Sequence, residues 1–241
     1  MNCLILAAGH GSRLREVSES KPLTPVAGVP LIERVMRTVL AAGIGDFTVV
    51  TGHRAADVEA FLTEWAGRDG PRIDFARLAD LDKPNGHSVL AGAPNCRGNY
   101  LLLMSDHLFD PAIAVAAVSK GRKSGAALTL AVDRDWQREQ LDLDDATKVA
   151  LDGDRIVAIG KNLTTFDAVD TGVFYATPKL AEAIQTAVDV GKAGSLSDGV
   201  QLLAEKGEAR VADATGLFWL DVDDPAALAK AEAHFAKGSA A

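Results

Sequence analysis

Short apolar runs alternate with segments of helical period through the first half of this 241-residue chain, an order that restricts the fold to βα units wound on a mainly parallel sheet. The runs at 2–7, 46–51, 72–76, 100–105 and 126–132 predict strands. Between the first two, Leu31, Ile32, Val35, Met36, Val39 and Leu40 recur at helical spacing after Pro30 and stop before Gly43. That predicts a helix with proline at its start and glycine past its end. Further helices are predicted over Ala55–Trp65, Gly86–Ala91 and Pro111–Lys120. Past residue 135 the pattern changes. Lys148–Leu151 and Arg155–Ile159 flank Asp152-Gly153-Asp154, which reads as an antiparallel hairpin. A strand at 168–176, a helix opened by Pro178, a small helix near Ser197–Glu205, a strand at 217–222 and a last helix at Pro225–Ala236 complete the expectation.

Composition excludes several classes of function. With 48% hydrophobic and 24% charged residues the chain is an ordinary globular protein, not a disordered one. A net charge of −8 without a basic run excludes wrapping a phosphate backbone, so no nucleic acid is expected as partner. The apolar start, Asn2–Ala8, lacks a basic flank and runs into a glycine loop, so it is not a signal peptide. No apolar stretch approaches the roughly 20 residues that cross a bilayer, and the expectation is a cytoplasmic chain without membrane insertion. Cys3 and Cys96 have neither a disulfide framework nor a metal-ligand spacing and are expected to be reduced thiols. No linker or repeat is visible, so 1–241 is read as one α/β domain, a mixed, mostly parallel sheet flanked by helices.

The first strand feeds Ala7-Ala8-Gly9-His10-Gly11-Ser12-Arg13-Leu14, where Gly9 and Gly11 let backbone N–H groups turn toward an anion. Neither G-x-x-x-x-G-K-[ST] nor G-x-G-x-x-G is present. Arg13 can clamp phosphate oxygens bidentately, and Lys21, in Lys21-Pro22-Leu23, can act as a point charge. Both could equally be solvated surface residues. The combination L-A-A-G-x-G-S-R-L followed by K-P-L resembles the signature of nucleotidyltransferases that join a nucleoside triphosphate to a sugar phosphate or other phosphorylated alcohol. The resemblance implies a Rossmann-like nucleotidyltransferase fold. It also implies a triphosphate site at Leu6, Ala7, Ala8, Gly9, Gly11, Ser12 and Arg13, with Lys21 on the α-phosphate. The Leu14–Ser20 stretch between Arg13 and Lys21 is read as a flap.

Asp106 follows the apolar strand Leu101–Met104, at the strand end where α/β proteins place ligands. In Phe218–Asp223, alternation puts Trp219, Asp221 and Asp223 on one face. Two carboxylates on one face repel unless a cation or proton intervenes, and oxygen ligands with substrate phosphates favour Mg²⁺. The alternative for Asp223 or Asp224 is an N-cap for the helix at Pro225. The resemblance implies that Asp106 and Asp221 hold Mg²⁺, with Asp223 as third ligand. It also implies that Asn85, Gly86 and Ser88 contact the nucleobase. His87 reads as a packing or surface residue, and His107, beside Asp106, is left open. Asp142, Asp144 and Asp145 read as a solvated acidic loop.

Asp145-Ala146-Thr147-Lys148-Val149, the Asp-Gly turn, Ile156–Lys161 and Ala168–Phe174, taken with Met104-Ser105-Asp106-His107 and Trp219–Asp223, resemble the CTP:inositol-1-phosphate cytidylyltransferases along the whole chain. That resemblance implies CTP and inositol 1-phosphate as substrates and CDP-inositol as product. Residues 1–135 would mainly hold CTP, and 136–223 the acceptor and the second metal carboxylate. Lys148 and Lys161 are the candidates for the acceptor phosphate, with Asp170 and Thr171 for its hydroxyls. Arg13, Lys21 and Lys161 would neutralise charge in the transfer. Many members are fused to a membrane CDP-alcohol phosphotransferase; here a separate one is expected to use the product. The last helix could cover the sheet or pair two subunits. Phosphocholine, 2-aminoethylphosphonate or a hexose 1-phosphate is the alternative acceptor. A catalytically silent nucleotide-binding regulator is the alternative class.

Overall fold

The computed structural model describes residues 1–68, 70–137 and 141–238. Its strands are β1 (Asn2–Ala7), β2 (Pro25–Val26), β3 (Val29–Pro30), β4 (Asp46–Thr51), β5 (Arg72–Arg77), β6 (Tyr100–Met104), β7 (His107–Phe109), β8 (Leu128–Asp133), β9 (Lys148–Asp152), β10 (Arg155–Gly160), β11 (Ala168–Ala176), β12 (Ala209–Asp213) and β13 (Trp219–Asp221). The helices are α1 (Leu31–Ala41), α2 (Ala55–Ala66), α3 (Gly86–Gly92), α4 (Pro111–Ser124), α5 (Lys179–Asp189), α6 (Leu196–Glu205) and α7 (Pro225–Gly238). Nine strands form one sheet in the order β5-β4-β1-β6-β11-β8-β12-β10-β9. It is mixed. β5, β4, β1 and β6 run parallel, as does the β8–β12 pair, whereas β11 is antiparallel to β6 and β8.

β1 is buried on both faces, as an uninterrupted apolar run in a parallel sheet requires. Cys3 and Ile5 pack with Ile32, Val35 and Met36 of α1 on one face. Leu4 and Leu6 pack with Val89, Ile184 and Val200 of α3, α5 and α6 on the other. Each such side chain contributes roughly 1.5–3 kcal/mol, so the two layers pin the register of β1. The helix predicted after Pro30 ends at Ala41, and Gly43 follows at φ 81°. α6 begins one residue earlier than predicted because Ser195 and Asp198 form a reciprocal capping box. The predicted hairpin is β9–β10, with Gly153 at φ 63°. Cys3 and Cys96 are free thiols, and no helix among the described residues is long and apolar enough to cross a membrane.

Besides the two-residue strands β2 and β3, two elements escape the sequence pattern. β12 is short and Ala-rich, yet it pairs with β8 along five positions. β7 follows β6 after two residues and pairs antiparallel with β13, setting His107 opposite Asp221. That small ribbon brings the two carboxylate segments together.

Candidate active site

The loops after β1 and β6 leave neighbouring parallel strands on the same edge, because Leu6 is in register with Met104. Gly11 closes the first loop in the left-handed region at φ 59°, and a Cβ there would come within 2.4 Å of Lys21 Cβ. Only glycine serves both demands. Buried Leu14 anchors the turn that carries Arg13, and the flap after it exposes Val17. Lys21 begins its own short turn, 10% exposed at the side chain, with its ammonium 2.5 Å from Asp106 Oδ2 and bonded also to Asp223.

Eight charged groups then follow one another with alternating sign. Lys161 meets Asp145, which accepts from Arg13 at 2.8 Å; Arg13 meets Asp223 at 2.8 Å; Asp223 meets Lys21, and Lys21 meets Asp106. His107 Nε2 lies 3.9 Å from Asp106 and 3.4 Å from Asp221, while its Nδ1 faces the Thr171 carbonyl at 3.1 Å. Burial opposes the charge on His107, but Asp221 and Asp106 overcome it and push the imidazole up to about 10. Burial also opposes the charge on Lys21, and Asp106 and Asp221 raise its pKa regardless. For Asp221, burial acts upward and the pull of His107 and Lys21 prevails, keeping the carboxyl below its ordinary value.

Two compartments meet along this row. One, of about 460 Å³, is lined by Leu6–Arg13, Lys21, Asn85, Ser88 and Ser105–His107. The other, of about 470 Å³, is lined by Asp170, Phe174, Leu196, Ser197, Trp219, Leu220 and Lys230, among others. Arg13, Asn85, His107, Asp145, Lys161, Asp221 and Asp223 face both. Asp170 is pushed up to about 6, chiefly by burial, although its Oδ1 accepts the Gly172 N–H at 2.7 Å.

Asp106, His107 and Asp221 could hold a metal ion, since one donor atom from each lies within 4.8 Å of the others. Asp221 Oδ1 is a buried carboxylate oxygen without a hydrogen-bond partner. Buried polar atoms are normally satisfied, so an oxygen-preferring cation suits that atom. His107 Nδ1 faces the Thr171 carbonyl, which turns Nε2 toward the two carboxylates.

Several sequence expectations land elsewhere. Asp223 is not in that trio; its oxygens are taken by Lys21 and Arg13. The N-cap reading holds for Asp224, whose Oδ1 accepts the Ala227 N–H at 2.7 Å. Thr171 is fully buried and donates its hydroxyl to the Ala131 carbonyl at 2.8 Å, so it faces the sheet and not a ligand. Lys148 donates to the Lys161 carbonyl at 2.6 Å and lines neither compartment, so it ties the start of β9 to the end of β10. Gly86 is a packing glycine: a Cβ there would meet the Gly194 carbonyl at 2.2 Å. Asn85 faces both compartments, with Oδ1 accepting from the Leu196 N–H at 2.9 Å, and His87 packs against the Ala193 carbonyl. Asp145, read as part of a solvated loop, stands at the centre of the row. Its signal was missed because its two partners lie 132 and 16 residues away. Trp219, whose indole N–H donates to buried Asp133 at 2.8 Å, and Lys230 were not foreseen as lining residues.

The family model described as the MobA-like NTP transferase domain matches residues 3–196. The chain belongs to this family. A bifunctional IPC transferase and DIPP synthase of Rubrobacter xylanophilus is 34% identical over 92% of this chain and 49% of its own length. A protein of the same description from Aquifex aeolicus is 31% identical over 97% of this chain and 51% of its own. The chain thus spans about half the length of these curated relatives. Among solved structures, the inositol-1-phosphate CTP transferase from T. maritima superposes with a TM-score of 0.83 at 23% identity, covering 96% of each chain. That likeness establishes the nucleotidyltransferase fold.

Proposed function

We propose that this protein transfers a cytidylyl group from CTP to inositol 1-phosphate with Mg²⁺, releasing pyrophosphate and forming CDP-inositol. The observation that carries the reading is the row of cations, Arg13, Lys21 and Lys161, set between two compartments and beside a carboxylate pair. A transfer between two polyanions needs that arrangement: cations where the phosphates meet, and a cation site next to them. The relatives described above support CTP and an inositol phosphate as the pair.

In this reading the glycine loop's N–H groups and Arg13 bind the triphosphate, Lys21 neutralises the α-phosphate, and Lys161 holds the acceptor phosphate in line with it. Mg²⁺, held by Asp106 and Asp221, would supply charge neutralisation on the transferred phosphate. No general base is required, because the acceptor phosphate is already ionised. His107 fits that account, since its two ring nitrogens face the Asp106 and Asp221 carboxylates and the Thr171 carbonyl, not an incoming phosphate. Asn85 and Ser88 would read the base, and Asp170 the acceptor hydroxyls. Residues 1–135 would then be the nucleotide half and 136–223 the acceptor half, with the product passing to a membrane CDP-alcohol phosphotransferase.

A cationic acceptor such as phosphocholine would need an aromatic cage. Trp136 and Phe166 are engaged with each other at 4.9 Å, and Tyr175 is buried and bonded to Asn99. Phe174 and Trp219 line the acceptor compartment, and the indole N–H of Trp219 is turned to Asp133, so two rings stand where a cage needs more, which favours a polyol. The test is Mg²⁺-dependent pyrophosphate release, crossing CTP, UTP, GTP and ATP with inositol 1-phosphate, phosphocholine, aminoethylphosphonate and glucose 1-phosphate. Turnover confined to CTP with inositol 1-phosphate supports the reading. Turnover with another acceptor overturns its acceptor half, and none with any pair overturns it whole.

A further inference from the structure

The carboxylate of Asp145 occupies the junction of the two compartments and bonds two cations from opposite parts of the chain. Arg13 belongs to the glycine loop and Lys161 to the end of the β9–β10 hairpin. No other described carboxylate bonds both. The side chain is 30% exposed, so an incoming anion can reach and replace it. Its two oxygens take one cation each, Oδ2 on Arg13 and Oδ1 on Lys161. Those two bonds hold the carboxyl down to about 2, so Asp145 is fully charged at any working pH.

We propose that Asp145 is an internal counter-ion that stands in for substrate phosphate, and that the nucleotide must displace it before the acceptor phosphate can take Lys161. This rests on the nucleotidyl-transfer reading above. Alone, an acceptor phosphate must pull Lys161 from a carboxylate fixed at both oxygens. Once a triphosphate has taken Arg13, Asp145 loses one of its two anchors and lies beside a polyanion of its own sign, which drives it off. Lys161 is then open. The nucleotide therefore strengthens acceptor binding, and by linkage the acceptor strengthens nucleotide binding by the same factor. Asp145 is a positioning residue that acts through Arg13 and Lys161.

Calorimetric titrations of Asp145→Asn and Asp145→Ala test this, with Asp144→Asn as control. Asp144 is exposed, two residues from Asp142, and its loss changes net charge equally without touching either cation. Inositol 1-phosphate and, in parallel, inorganic phosphate are titrated with and without a non-hydrolysable CTP analogue and Mg²⁺. In the wild type the analogue should tighten binding of the anion by about tenfold, on the order of two surface ion pairs released. Both Asp145 variants should bind the anion alone at the tightened value and gain less than about twofold from the analogue, with Asp144→Asn behaving as wild type. An anion affinity that the analogue leaves unchanged in the wild type, for both anions, overturns the proposal. So do Asp145 variants indistinguishable from Asp144→Asn. Failure of the analogue to bind any of the proteins would instead remove the nucleotidyl-transfer reading beneath it.

Discussion

Replacing Asp170 by asparagine removes a charge from the compartment proposed for the acceptor while keeping the oxygen that accepts the Gly172 N–H. Burial raises this carboxyl from 3.8 to about 6 in the folded protein. Between pH 4 and 6 the folded state keeps a proton that the unfolded chain has released, so wild-type stability falls across that window. Above it the full cost is present, and below it there is none. A shift of about 2 units at roughly 1.4 kcal/mol per unit sets that cost at about 3 kcal/mol. Asp170→Asn should therefore match the wild type near pH 4 and exceed it by about 2–3 kcal/mol at pH 7.5, or roughly 5–10 °C in Tm for a chain this size. Urea unfolding of both proteins at pH 4, 5, 6 and 7.5 measures the difference. A gain that does not vary with pH, or a loss at pH 7.5, refutes the reasoning. The same variant should raise KM for the acceptor, since a carboxylate retained at such a cost is expected where it binds ligand.

Asp106→Asn should lower pyrophosphate release by about 10²–10³-fold with an unchanged circular dichroism spectrum, because it weakens both the cation site and the hold on Lys21. Full turnover by that variant would remove Asp106 from the site. Gly172→Ala should cost about 2–4 kcal/mol in urea unfolding, since Gly172 has φ 79° and a Cβ there would stand 2.1 Å from His107 Nδ1. Thr171→Val should cost about 1–2 kcal/mol from the Ala131 carbonyl left unpaired, yet leave acceptor KM within about twofold. A large KM change with unaltered stability would restore Thr171 as a ligand.

The fold was legible where burial imposes a period. β1, β4 and β11 lie at the predicted residues, as does the start of α1 after Pro30. β12 was not, because Ala-Arg-Val-Ala-Asp carries little strand preference and is held by the neighbouring β8. Gly9, Gly11 and Arg13 line one compartment together, and their turn was legible because a tight turn after a strand fixes residue types locally. Asp145 and His107 could not, because each draws its meaning from partners far along the chain: Arg13 for one, Asp221 for the other. Lys148 and Thr171 were misdirected for a related reason. A polar residue at a strand end reads the same whether it faces a ligand or the adjacent backbone, and here both face backbone.

The β7–β13 ribbon joins a segment from the middle of the chain to its last strand. During synthesis the glycine loop and Asp106 emerge first, and Asp221 follows only after another hundred or so residues. Until then the chain carries only one of the two carboxylates that flank His107. Any chemistry that depends on both carboxylates waits for the β7–β13 pairing that sets His107 opposite Asp221.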